Sequence, residues 1–173
     1  MDEIRIPKDR VAVLIGKKGK TKKEISQATH TKIKVDSKEG DVIIIGENGL
    51  DVYNAKRIIQ AIGRGFNPDK ALELLEEDKA FEIINMQNYA RNTKDDLKRI
   101  KGRIIGRRGK AKKMIEDLVN VNLSIYGKTV SIIGKQENVD IARHAISNLL
   151  SGSKHGKVYN YLEKQRKKKK YII

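Results

Sequence analysis

Residues 15–25 read IGKKGKTKKEI and residues 105–115 read IGRRGKAKKMI, so one motif occurs twice at a spacing of 90 residues. The correspondence continues beyond the motif, because the pattern Val-x-x-Ala that begins at Val52 returns at Val139. A repeat of this length indicates two copies of a whole small domain rather than the short units of a solenoid.

The hydrophobic pattern predicts the same order of elements in both copies: strand, helix, GxxG turn, helix, strand, strand, helix. In the first copy we expect strand 3–7, helices 9–15 and 20–29, strands 32–35 and 42–45, and helix 49–63. In the second copy we expect a strand near 82–87, helices 95–105 and 110–120, strands 121–126 and 129–133, and helix 137–150.

The charge of the chain is strongly positive and unevenly distributed. The 173 residues carry 38 Lys and Arg against 22 Asp and Glu, a formal net charge of +16. The excess lies in residues 1–66 (+5), 91–153 (+8) and 154–173 (+7), while residues 67–90 are acidic (−4). Self-repulsion of this size weakens a compact state unless a polyanion offsets it, so the composition favours a nucleic-acid partner.

The composition also excludes several classes of protein. Without cysteine the chain can form no disulfide, no Cys-ligated zinc site and no cysteine nucleophile. No apolar run approaches the ~20 residues that a membrane span requires, and the N-terminal MDEIRIPKDR lacks the apolar region of a signal peptide. We therefore expect a cytoplasmic protein that acts away from membranes and needs no cofactor or metal.

The two GxxG turns are the candidate binding sites. A four-residue turn between two helices presents backbone N–H groups and the positive end of the second helix to one surface, which attracts phosphate. The middle residues of both turns are cations. Glycine at each end leaves room for the close approach of another backbone. The turns therefore predict a grip on the phosphates of a nucleic acid.

An apolar floor beside each turn would hold the bases of a single strand. We expect it to consist of Val13, Ile15, Ile25 and Ile33, repeated as Arg103 (a departure from the pattern), Ile105, Ile115 and Leu123. The predicted RNA-binding residues are Ile15, Gly16, Lys17, Lys18, Gly19, Lys20, Lys23 and Ile25, repeated as Ile105, Gly106, Arg107, Arg108, Gly109, Lys110, Lys113 and Ile115.

The pattern IGxxGKxxKxI, in this element order, resembles the KH domain of type I topology, and the chain resembles two such domains in tandem. The resemblance implies an α+β fold in which three helices cover a three-stranded antiparallel sheet in each domain. It also implies that each GxxG loop clamps about four nucleotides of single-stranded RNA. The expected division is a first KH domain at 1–66, a linking helix at 67–80, a second KH domain at 81–152, and a C-terminal helix with a basic tail at 153–173.

The linking segment favours two domains packed as one body. Asn67 and Pro68 suit the cap and the first position of a helix. The leucines that follow, together with Phe81, carry too much apolar surface for a free linker. At the other end of the chain, the basic tail 166–170 would bind RNA without sequence preference, unless it is only a solvated, disordered tail.

A second resemblance lies at residues 152–163, GSKHGKVYNYLE, which are similar to the C-terminal signature of the partner-of-Nob (Pno/Dim-type) family. Its members are two-KH-domain proteins of small-ribosomal-subunit biogenesis. The resemblance implies binding to the 3′ region of small-subunit (pre-)rRNA and assistance in its maturation. It also implies assembly-factor partners that include the endonuclease of that 3′ end, and no DNA is expected. Because both GxxG loops are kept, the chain resembles the short archaeal branch.

Three other functions are weighed against this one. A P-loop nucleotidase is disfavoured because Leu14 stands where the motif requires its first glycine, and Ala111 replaces the Mg²⁺-binding hydroxyl. A nuclease is disfavoured because the acids at 95–96 and 116–117 are predicted on exposed helix faces, so we expect no enzyme. A general KH-type RNA-binding adaptor in RNA decay or translation stays open, since residue types do not separate it from an assembly factor.

Overall fold

The computed structural model describes residues 1–172, which divide into two compact units, Met1–Glu77 and a second that begins at Asp78. The first unit consists of β1 (Asp2–Arg5), α1 (Lys8–Ile15), α2 (Lys20–Ala28), β2 (Lys32–Val35), β3 (Asp41–Ile45), α3 (Gly49–Gly63) and α4 (Pro68–Leu72). The second consists of β4 (Lys79–Asn85), α5 (Lys94–Ile105), α6 (Lys110–Val119), β5 (Val121–Tyr126), β6 (Thr129–Lys135), α7 (Gln136–Leu150) and α8 (His155–Lys170). Short 3-10 turns lie at 17–19, 73–75, 86–89 and 107–109.

Both sheets are antiparallel, with the strand orders β1-β3-β2 and β4-β6-β5. The central strands carry the core, because Ile44 of β3 lies opposite Ile33 of β2, and Ile132 of β6 lies opposite Leu123 of β5. All four side chains are buried. The expected α+β fold, three strands and three covering helices in each unit, is confirmed.

One helix in each unit supplies much of the remaining core. Helices α3 and α7 bury the same repeat positions, each with zero exposure: Ala55, Ile59 and Ile62, matched by Ala142, Ile146 and Leu149. Full burial of a side chain of the size of Ile or Leu contributes about 1.5–3 kcal/mol. The internal repeat is therefore a repeat of cores as well as of loops.

The linking segment is less helical than its sequence suggests. Asn67 does cap a helix that starts with Pro68, since its side-chain oxygen accepts a hydrogen bond from the N–H of Asp69 at 3.1 Å. The helix ends at Leu72, however, and a 3-10 turn follows. The first strand of the second unit was expected near 82–87 but begins at Lys79, because β4 pairs with β6 as far as Lys135. That long-range pairing leaves no mark in the local pattern.

The basic C-terminal run is helical. Helix α8 includes every residue of the run 166–170 and packs on α6 and α7 through the buried side chains of Val158 and Leu162. Near its far end, Lys169 donates a hydrogen bond to the side-chain oxygen of Asn138 and lies 3.5 Å from the carboxylate of Glu137. The alternative of a disordered tail is therefore wrong for these residues.

Each unit uses an arginine to bind the C-terminal end of its long helix. Arg10 on α1 donates to the carbonyl oxygens of Ile62 and Phe66 at 2.8 and 2.9 Å. In the second unit Arg103 on α5 donates to the carbonyl oxygens of Leu149 and Ser153. The last carbonyls of a helix have no partner within it and form the negative end of its dipole, so a guanidinium satisfies both needs.

Replacing Arg103 with Met should lower the free energy of unfolding by about 2 kcal/mol, because hydrogen bonds to a charged group in a half-buried setting contribute about 1.5–3 kcal/mol. Arg99→Met is the matched control on the same helix, since the Arg99 side chain is 62% exposed and donates its hydrogen bonds to the side chain of Asp96, one turn away. Urea denaturation of both variants measures the difference. Equal, small losses would show that the bonds of Arg103 to the α7 end do not stabilise the fold.

Candidate nucleic-acid interface

The two GxxG loops have the same backbone conformation. In the first loop φ is 73° at Gly16, 54° at Lys18 and 73° at Gly19. In the second loop φ is 74° at Gly106, 52° at Arg108 and 73° at Gly109. A non-glycine residue held in the left-handed region costs of order 1 kcal/mol, and such strain gathers at functional sites. Both loops therefore keep a strained turn that an ordinary helix–helix connection does not need.

The glycines of each loop have different tasks, which corrects the expectation that both admit another molecule. A Cβ at Gly106 would lie 2.7 Å from the backbone nitrogen of Ala111, and one at Gly16 would lie 2.9 Å from that of Thr21. The first glycine therefore lets the loop fold back on its own helix. A Cβ at Gly19 or Gly109 would meet nothing within 4 Å. Only the second glycine faces open space.

The loop cations point into solvent. Lys17 and Lys18 are exposed, as are Arg107 and Arg108. The predicted rim cations Lys20, Lys23, Lys110 and Lys113 are exposed as well. Neither α2 nor α6 has a side-chain hydrogen bond at its N-cap glycine. The N–H groups and positive dipole ends of both helices thus lie beside a cluster of cations, an arrangement that binds anions.

The apolar floor is smaller than the sequence suggests. Ile25 and Ile115 have zero exposure, so they cannot contact a base, and their inclusion among the RNA-binding residues is wrong. Ile33 and Leu123 are also buried, because these residues face the helices in the core of each unit. Of the remaining predicted floor, Val13 and Ile15 are half-buried and Ile105 is 36% exposed. Arg103 lies outside the floor because its guanidinium binds the end of α7.

The sequence analysis placed Glu116 on a solvated helix face and missed its hydrogen bond to the sheet. Its carboxylate instead accepts a hydrogen bond from the backbone N–H of Leu123 at 2.9 Å, and it lies 3.7 Å from the ammonium of Lys112. The bond joins α6 to β5, an edge strand whose free N–H groups need partners. Only the pairing of the sheet shows that this N–H is available, so the local sequence carries no signal for it.

Of the predicted acidic pair 95–96, Asp96 has a structural task. Asp96 accepts a hydrogen bond from the backbone N–H of Arg91 at 2.7 Å and two from the guanidinium of Arg99. These bonds, the backbone one first, hold the pKa of the Asp96 carboxyl below its usual value. Within residues 1–172 no three His, Asp or Glu side chains are grouped so as to hold a metal ion, and no helix there is long and apolar enough to cross a bilayer.

The histidines also contact neighbouring groups of the protein. The Nε2 of His155 lies 2.8 Å from the carbonyl oxygen of Arg103, in the last turn of α5 before the second loop. The ring of His144 lies 5.2 Å from that of Tyr161 on α8. These contacts fix α8 and do not create a reactive centre.

Comparisons with known proteins agree with this geometry. Residues 80–167 match the family described as the eukaryotic type KH-domain (KH-domain type I), and residues 1–61 match the KH domain. A KH domain-containing protein of Methanocaldococcus jannaschii is 44% identical over 169 residues, which cover 95% of this chain and 74% of that protein.

Two further relatives have informative names. A crystal structure of an a/eIF2alpha–aDim2p–rRNA complex from Pyrococcus horikoshii contains a chain that is 48% identical, with a TM-score of 0.89 over 96% of this chain and 94% of that one. The pre-rRNA-processing protein PNO1 of Chaetomium thermophilum is 36% identical over 108 residues. That match covers 60% of this chain and 41% of the fungal protein, so the chain spans less than half of that relative.

Proposed function

Because the chain belongs to the PNO1 and Dim2 family of tandem KH-domain proteins, we propose that it binds single-stranded RNA through its two GxxG loops and serves the maturation of small-subunit rRNA. The observation that carries the proposal is the loop itself, which occurs twice with the same strained backbone, two exposed cations and a helix start without a side-chain cap. Each part of that arrangement favours a phosphate backbone.

The binding mechanism follows from the same parts. Phosphates lie against the open side of Gly19 and Gly109, where the N–H groups of the following helix and the loop cations converge. The bases turn away from the phosphates onto the exposed edge of Ile15 or Ile105. Duplex RNA is a poor ligand for such a site, because its bases are stacked and paired and its phosphates follow a fixed helical path. Residues 16–20 and 106–110 are the proposed contacts, with Lys23 and Lys113 on the rim.

We propose the 3′ region of small-subunit (pre-)rRNA as the target. The name of the Pyrococcus complex includes rRNA, and PNO1 is named for pre-rRNA processing. The same complex includes a/eIF2alpha, which makes a related initiation-factor subunit a proposed protein partner beside the assembly factors and the 3′-end endonuclease. The protein would act in the cytoplasm as a binding factor that presents RNA to others, and not as an enzyme.

Binding of single-stranded RNA should depend steeply on salt. For single strands the slope of log K against log salt is about −0.7 per phosphate neutralised, so contacts to four phosphates predict a slope of roughly −3. Fluorescence anisotropy with an unstructured RNA across a salt series measures this slope. A duplex RNA of the same sequence is the control. A slope near zero, or tighter binding of the duplex, would contradict the proposal.

The cellular role requires a separate measurement, because a general adaptor in RNA decay or translation would bind single strands equally well. An assembly factor should sediment with immature small subunits and be absent from translating ribosomes. Crosslinking should place it on the 3′ region of the precursor RNA. Sedimentation with translating ribosomes, or crosslinks spread over messenger RNA, would favour the adaptor instead.

A further inference from the structure

A cavity of about 260 Å³ opens in the second unit, away from the GxxG loop, where α6 ends, α7 begins and α8 passes over both. Its floor is apolar: Leu118, Val119 and Ile141 keep some exposed surface there, whereas Leu162 has none and belongs to the core. The volume is below the 300–1,000 Å³ of pockets that hold drug-sized ligands. The cavity therefore suits one small group of about the size of a single ring system.

The polar groups around the cavity are carboxamides and cations. Asn138 and Gln165 line it, and Arg166, Lys169 and Lys170 stand on the α8 side, with Asp117 as the acid opposite. Lys169 is held by its contacts with Asn138 and Glu137. Carboxamides can pair with the edges of bases. Arg166 can bind phosphate bidentately or stack on a ring, and Lys170 supplies a further positive charge.

The wall that α8 provides is fixed at both ends. At its start, the Nε2 of His155 lies 2.8 Å from the carbonyl oxygen of Arg103. In its middle, Leu162 has no exposed surface. At its far end, Lys169 contacts the start of α7. A preformed wall binds with little loss of conformational entropy, which distinguishes this cavity from a cleft beneath a loose basic tail.

We propose that this cavity binds one unstacked nucleobase of the RNA strand held by the second GxxG loop, with the adjoining phosphates on Arg166 and Lys170. An apolar floor for the ring, carboxamides for its edge and cations for its phosphates form the set that single-strand recognition uses. An acidic peptide could form ion pairs with the cations, but it has no base edge with which the carboxamides could form hydrogen bonds. The inference rests on the proposed RNA binding and adds a contact outside the loop groove.

The position of the cavity agrees with this assignment. Helix α6 starts at Lys110, directly after the loop, and its last residues line the cavity. Ten residues of α helix span about 15 Å, so the cavity lies one short helix away from the loop phosphates. A strand that continues past the roughly four nucleotides of the groove can reach it.

The test compares two double variants of the full chain that remove the same charge from α8. Arg166→Gln with Lys170→Gln removes two cavity cations, whereas Lys164→Gln with Lys168→Gln removes two exposed cations that do not line the cavity. Ile141→Phe fills the cavity without a change of charge. Anisotropy is measured with an RNA of about four nucleotides, enough for one groove, and with one about three times longer. Circular dichroism confirms that each variant is folded.

The cavity-cation variant and Ile141→Phe should each weaken the longer RNA about tenfold, the effect of losing one stacked base, and leave the short RNA unchanged. The double variant at Lys164 and Lys168 should lose much less affinity for the longer RNA. Equal losses in the two charge variants, with no effect of Ile141→Phe, would mean diffuse attraction and overturn the proposal. If the short RNA fails to bind the unchanged protein, the failure lies in the proposed function instead.

Two further ligands identify the source of the base. Free 5′-AMP should compete with the longer RNA only at high concentration. At saturation it should lower the affinity of the longer RNA to that of the short RNA and no further. Displacement at low concentration, with no gain from a longer strand, would assign the cavity to a free nucleotide and overturn the strand proposal. Binding of an acidic, apolar peptide that Ile141→Phe abolishes, with RNA affinity unchanged in every variant, would assign it to a protein.

Discussion

Replacing both Arg107 and Arg108 with Asp should lower the affinity for single-stranded RNA by at least about a hundredfold, because two charge-assisted phosphate contacts are lost and two repulsions replace them. The fold should survive, since both side chains are exposed. Arg108 has a φ of 52°, and Asp is among the residues that tolerate the left-handed region. Anisotropy with an unstructured RNA measures the loss, and circular dichroism confirms the fold.

The same change in the first loop, Lys17 and Lys18 to Asp, is the matched control. We expect a smaller loss there, because guanidinium binds phosphate bidentately and stacks on bases, whereas ammonium acts as a point charge. The second unit also contains the basic helix α8. Equal losses would mean that the two grooves share the RNA evenly. A larger loss from the first loop would show that this ranking of the loops is wrong.

Gly106→Ala should lower the free energy of unfolding by at least about 3 kcal/mol, well above a typical single substitution. The new Cβ would lie 2.7 Å from the backbone nitrogen of Ala111 and the same distance from its Cβ, neither of which can rotate away. The backbone of Gly106, with φ 74° and ψ 177°, lies in a region that is essentially restricted to glycine, which adds a penalty of about 1–3 kcal/mol for any residue with a Cβ. Urea denaturation measures the loss.

Gly109→Ala provides the comparison within the same loop. It has nearly the same φ, 73°, but a Cβ there meets nothing within 4 Å, so only the conformational penalty of about 1–2 kcal/mol remains. For RNA binding by the folded protein we expect the opposite ranking: Gly109→Ala should weaken binding more than Gly106→Ala, because the phosphate approaches the open side of Gly109. Similar unfolding energies for the two variants would mean that the loop relaxes around the first glycine.

The fold could be predicted from the sequence because the same hydrophobic pattern occurs in both copies of the repeat. The two copies agree on the order of strand, helix, turn, helix, strand, strand and helix, and the local periodicities that mark these elements reflect burial on one face. The GxxG cations could also be predicted, since charged side chains in a glycine turn have no core to enter. Solvent exposure was predicted less well. Ile25 and Ile115 belong to the motif beside the loop, but on their helices both side chains face the core.

The errors share a physical cause, which is contact between residues distant in sequence. The start of β4 depends on pairing with Lys135, and the position of Glu116 depends on an edge N–H of Leu123. The role of Arg103 depends on carbonyls at the end of a helix 46 residues away. The hydrophobic periodicity of one segment contains no information about such distant partners.

The arginines at the helix ends also constrain the history of the duplication. Relative to the loops, Arg10 corresponds to Ile100, and Arg103 corresponds to Val13, so the two copies have exchanged an arginine and an apolar residue one helical turn apart. Any mutational path between these states passes through a sequence with both arginines or with neither. The ancestor with neither would leave the helix carbonyls unpaired. The one with both keeps them paired but places a second guanidinium at position 100, where Ile100 now has no exposed surface, so either route passes through a less stable sequence.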